Sequence, residues 1–192
     1  MKVPDRNHAL ELFRKYNSSD SLYKHALAVE GVMRYMARKS GEDEEKWGVI
    51  GLIHDLDYEM YPDQHCKMTE KILKEEGWPE EYIRAVMSHA WGFCTDTEPV
   101  TRLEKTLYAI DELTGLVVTS ALVRPSKSVL DMEAKSVKKK WNDKRFAAGV
   151  NRQVIEKGAA MLGVSLDELI TDCIMGMREV AEEIGLKGSV TN

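Results

Sequence analysis

The chain has 192 residues, 43% of them hydrophobic and 31% charged, with a formal net charge of −5. That composition excludes a disordered chain, and the length suits one domain that buries a core without disulfide or metal staples. No stretch approaches the roughly 20 apolar residues of a membrane span, and the acidic balance argues against double-stranded nucleic acid as a partner.

In chain order, the opening residues "MKVPDRNHAL" hold no apolar leader segment. Leu22, Ala26, Val29, Val32, Met33 and Met36 recur every three or four residues and make one helical stripe, closed at Gly41. Glu44 to Leu56 is a second helix, apolar on most sides and so expected at the centre of the fold. A "YPDQ" turn follows, then a helix from about His65 to Glu76, stopped by "GWP". Pro79 suits the first position of the next helix, which ends near Ala90. Val100 to about Val123 forms a long helix through Leu103, Leu107, Ile110, Leu113 and Val117. After "RPSKS" come a basic helix from about Leu130 to Trp141, one over Asn151 to Leu162, and a last one opened by the capping box "SLDE" at 165–168. No alternation persists for a strand length, so the fold class is all-α. Cys66, Cys94 and Cys173 are odd in number and widely spaced, which predicts free thiols in a reducing cytoplasm.

Several polar residues interrupt this pattern. His25 lies on the apolar stripe between Leu22 and Val29, Asp111 follows Ile110 on the core side, and His89 closes a helix after Val86. An isolated histidine is usually a satisfied core residue, but an uncompensated buried carboxylate costs several kcal/mol or must protonate. A cation where the helices meet would explain all of them together. The inventory is His25, the adjacent pair His54–Asp55 at the end of "GLIHD", His65, His89 and Asp111. Imidazoles with carboxylates suit Mn, Fe, Co, Ni or Zn rather than Ca or Mg. Asp57, Glu59 and Glu112 are either acceptors that orient a ligand or solvated acids. Trp91 and Phe93 line either a pocket mouth or the core.

The ordered set of a histidine, a His-Asp pair on the next helix and a distant aspartate resembles the HD-domain superfamily of metal-dependent phosphohydrolases. It falls on His25, His54, Asp55 and Asp111, and the resemblance covers about residues 20–120. The continuation "DELTGL", "ALVRPSKSVLDMEAKSVKKK" and "FAAGVNR" is similar to a subgroup of small HD-family hydrolases of unassigned substrate. The resemblance implies a helical bundle that runs as a single domain over 1–192, with an HD core at about 20–120 and an integral helical extension at about 121–188. It implies one or two divalent transition-metal ions, Asp55 as the catalytic ligand, and a small phosphorylated substrate. By analogy with dinuclear members, Asp55 would bridge two ions and His65 with His89 would hold the second. Alternatively, His65 begins a helix beside the site and His89 contacts phosphate directly. The set also resembles the di-iron oxygenases of polyols or phosphonates, and a non-catalytic nucleotide-binding module is a third reading. Between residues 124 and 152 nine basic residues face three acidic ones. This run is either a solvated face or a wall for an anionic substrate, with Arg124, Lys127 and Lys138 as the expected contacts.

Overall fold

The computed structural model describes residues 3–190, which fold into helices α1 (Arg6–Tyr16), α2 (Asp20–Ser40), α3 (Glu44–Ile53), α4 (Lys67–Glu75), α5 (Glu80–Ser88), α6 (Arg102–Leu122), α7 (Ala134–Lys138), α8 (Arg152–Leu162) and α9 (Leu166–Arg178). Among the described residues there is no strand, and no helix is long and apolar enough to cross a membrane.

The centre of the bundle is α3, where Trp47 and Val49 through Leu56 are buried apart from Asp55. Each such aliphatic side chain contributes about 1.5–3 kcal/mol on leaving water. Helix α2 packs along it, α1 and α5 also pack against it, α6 packs on α2 and α5, and α8 and α9 close over α6 and α2. The buried apolar residues form one connected cluster from Ala9 to Leu186, so the segment after α6 shares the core of the segment before it. Two glycines make that sharing possible. A Cβ on Gly176 of α9 would lie 2.6 Å from Val32 Cα on α2, and one on Gly158 of α8 would lie 2.5 Å from Ala109 Cα on α6.

The caps explain most boundaries. Asp43 accepts the Lys46 amide at the start of α3, and Gly41 ends α2 in the left-handed region. Thr101 and Glu104 form a reciprocal capping box that opens α6. At α9 only half of the expected box exists. Ser165 accepts the Glu168 amide, while the Glu168 carboxylate pairs with Lys39.

Three elements differ from expectation. Helix α1 is additional, anchored by Ala9, Leu12 and Phe13. Helix α4 starts at Lys67 because Cys66 takes φ 70°, which leaves His65 on non-helical backbone ahead of it. The basic helix shrinks to Ala134–Lys138. Before it, Val129 and Met132 insert as fully buried anchors, and Arg178 donates to both of their carbonyls, which removes them from helical pairing.

Candidate metal centre

Three helices and the turn after one of them deliver His25, His54, Asp55 and Asp111 to one point. His25 comes from the first half of α2, His54 from the end of α3, Asp55 from the turn that follows it, and Asp111 from the middle of α6. His25 Nε2 lies 3.0 Å from Asp111 Oδ1, 3.3 Å from His54 Nε2 and 3.4 Å from Asp55 Oδ2. His54 Nε2 lies 3.2 Å from both Asp55 Oδ2 and Asp111 Oδ1. On the other side of Asp55, Oδ1 lies 3.5 Å from His65 Nε2 and 3.4 Å from His89 Nε2. The two oxygens of one carboxylate therefore face two different histidine pairs.

The ring orientations are fixed from behind. His54 Nδ1 donates to the Gly51 carbonyl at 2.7 Å and His89 Nδ1 to the Val86 carbonyl at 2.5 Å. His65 Nδ1 donates to Asp57 Oδ1 at 2.8 Å, and Asp57 Oδ2 accepts the Thr69 amide at 2.8 Å. With Nδ1 carrying the proton, Nε2 of each ring presents a lone pair to the cluster, the tautomer a metal ligand needs. Ring nitrogens and carboxylate oxygens packed this closely require protons or cations between them. The donor set fits a divalent ion at His25, His54, Asp55 and Asp111, and a second at His65 and His89 with the other oxygen of Asp55. The Cys66 sulfur and one nitrogen each of His65 and His89 also lie within 4.8 Å of one another.

Charge follows the geometry. Burial works against the protonated His25 ring, but hydrogen bonds to Asp111 and Asp55 prevail and raise its pKa to about 9. His54 is raised likewise against burial, by the Asp55 and Asp111 charges. Against the opposing effect of burial, the His54 charge and the His25 hydrogen bond hold Asp55 well below the carboxylate range. A pH dependence follows for chelator-treated protein. Because the folded His25 keeps its proton above the ordinary 6.5, its stabilising contribution is complete below pH 6.5 and lost as pH rises through about 9. The denaturation midpoint of chelated protein is expected to fall across that window. A midpoint that rises there would contradict the assignment.

Beside the cluster opens a cavity of about 480 Å³. Besides His25, Asp55, His65, His89 and Asp111, its walls include Leu22, Tyr58, Phe93, Glu112, Val150 and Val154. Of the polar residues with two readings, Asp57 is fully buried and orients His65. Glu59 instead accepts the Ser18 and Ser19 amides on the surface. Phe93 lines the cavity, whereas Trp91 packs 5.9 Å from Tyr108 and under the Lys157 ammonium.

The structure does not bring the expected basic contacts to this cavity. Arg124 pairs with Asp131 and donates to Ser136, and Lys138 pairs with Asp167. Lys127 is exposed in the loop after α6. Arg152 turns back on its own chain and donates to the carbonyls of Lys140, Asp143 and Phe146. For Arg124, Lys138 and Arg152 the physical reason is local: acids and free carbonyls lie within reach of each side chain. What does reach the cavity from this part of the chain is Gly149, Val150 and Val154. A count of charges carries no signal for those residues.

No solved structure gives a significant match to the chain. The family model for the HD domain matches residues 22–116, from the start of the α2 stripe to just past Asp111, and so spans every member of the His/Asp cluster. The chain thus contains an HD domain and belongs to the HD-domain superfamily, whose members are generally metal-dependent hydrolases.

Proposed function

We propose that this chain is a metal-dependent phosphohydrolase that cleaves a phosphoric ester of a nucleotide or another small phosphorylated metabolite. One observation carries the reading: Asp55 offers Oδ2 to His25 and His54, and Oδ1 to His65 and His89. Two cations, one beside each histidine pair, would share that carboxylate, and two-ion sites suit phosphoryl transfer. When bound, divalent ions such as Mn, Fe, Co, Ni or Zn supply Lewis acidity toward a phosphoryl oxygen and lower the pKa of water at the site.

The chain's own residues do the rest. His54, His65 and His89 turn Nε2 toward the cluster because each Nδ1 proton is held by a carbonyl or by Asp57. Asp111 completes the first donor group through Oδ1. Leu22, Val150 and Val154 exclude water along one wall, which strengthens every charge interaction beside it. The hydrolysis balances with one water. Its oxygen forms a bond to phosphorus, the ester P–O bond breaks, and the alcohol leaves with a proton.

The test is elemental analysis of protein purified without added metal, followed by phosphate release from nucleoside monophosphates, sugar phosphates and phosphodiesters. Turnover that needs the metal and stops with chelator supports the reading. Well-metallated protein that releases phosphate from none of them would overturn it. Oxygen consumption by the iron-loaded protein on a polyol, without phosphate release, would assign the same cluster to a di-iron oxygenase.

A further inference from the structure

The cavity that adjoins the cluster has an unusual charge pattern for a phosphate-ester site. Among the described residues, none that lines it is lysine or arginine. Four cations of the later part of the chain are engaged elsewhere: Arg124 on Asp131, Lys138 on Asp167, Arg152 on backbone carbonyls and Lys157 on the Trp91 ring. Outside the His/Asp cluster the one charged lining residue is an acid, Glu112. Its Oε2 accepts the amide of Asn151, the N-cap of α8, at 3.1 Å. No described residue donates to its Oε1. The apolar part of the lining is made chiefly by Leu22, Phe93, Val150 and Val154.

Anion recognition is therefore confined to the metal cluster, and the remainder of the cavity repels negative charge. A second phosphate would meet an acid and an apolar wall with no cation to compensate it. A hydroxyl or ammonium group would meet a fixed carboxylate acceptor. We infer that the cavity takes a phosphomonoester with a single phosphoryl group. Its body is neutral or cationic, donates a hydrogen bond to Glu112, and lays an apolar face on Leu22, Phe93, Val150 and Val154. This deepens the hydrolase reading and rests on it, and it makes Glu112 a specificity-determining residue.

The test is a series of alkyl phosphates of one chain length that end in methyl, hydroxyl, ammonium or a second phosphate, assayed on metal-loaded protein of measured metal content. The hydroxyl and ammonium esters are expected to exceed the plain alkyl ester about tenfold in kcat/KM, as one hydrogen bond to a charged acceptor gives. The bisphosphate is expected to fall below the plain ester. Glu112→Ala should bring the donor preference down to parity. Glu112→Gln, which keeps an acceptor for Asn151 and so guards against misfolding, should retain the hydroxyl preference and lose the ammonium one. A bisphosphate turned over as well as the hydroxyl ester, or a donor preference intact in Glu112→Ala, would overturn the inference. If no ester is hydrolysed, the hydrolase reading fails by itself, and calorimetric binding of the same series still decides this one. Tighter binding of the donor-bearing esters by wild type but not by Glu112→Ala upholds the subsite, and equal binding by both refutes it.

Discussion

Asp55→Ala is expected to abolish metal binding at both halves of the cluster, whereas Asp111→Ala should empty only one. The asymmetry follows from position. Asp111 approaches His25 and His54 alone, through Oδ1, while Asp55 contacts that pair through Oδ2 and the His65–His89 pair through Oδ1. Loss of an outer partner typically weakens a metal site by about 10–100-fold, and loss of a shared ligand should exceed that at each ion. Turnover should fall by about a thousandfold or more, equivalent to about 4 kcal/mol of transition-state stabilisation. Elemental analysis after dialysis reads the difference, with circular dichroism as the check that the helices persist. Metal content of Asp55→Ala equal to that of Asp111→Ala would refute the shared-carboxylate arrangement. Retention of both ions by Asp55→Ala would remove the site from the His/Asp cluster altogether.

The helical class and most helix positions were readable from the sequence because burial leaves a period. The α2 stripe and the apolar α3 have no other economical explanation, and polar residues on an apolar face mark themselves. For that reason His25, Asp111 and His89 stand out in the sequence itself, and the structure brings them within reach of His54, Asp55 and His65. Irregular backbone leaves no such period. Asp57 lies in the turn after α3, and nothing in its spacing distinguished it from Glu59, yet one orients His65 from the interior and the other ties down the surface turn between α1 and α2. The basic segment misleads for a different reason. A run of lysines and arginines reports how much charge is present but not where the side chains aim. Arg152 aims at five carbonyls of its own loop, those of residues 140, 143, 146, 147 and 150. The segment thus shapes the cavity through Gly149 and Val150, which carry no charge.

The second large effect is on stability, where one substitution should act with opposite signs at two glycines, one packed against α6 and one within it. In Gly158→Ala the new Cβ would stand 2.5 Å from both Cα and Cβ of Ala109, two residues before Asp111 on α6. Alanine favours a helix over glycine by about 1 kcal/mol, which alone would stabilise α8. The clash is with backbone and a Cβ, however, so no rotamer change relieves it, and α8 must move away from α6. Overpacking of this kind costs about 1–3 kcal/mol, and where two helix backbones must part the upper end applies. The net loss should lower the melting temperature by about 2–4 °C per kcal/mol in a chain of this size. Gly115→Ala, within α6 itself, meets only Val150 Cγ2 at 3.6 Å, an ordinary contact. There the propensity gain is unopposed, and the protein should gain up to about 1 kcal/mol. Calorimetric melts of the two variants beside wild type check the pair. If Gly158→Ala melts at or above wild type, the α6–α8 crossing is looser than its geometry states, and the α8 wall of the cavity, carried by Val154, would be free to shift relative to Asp111.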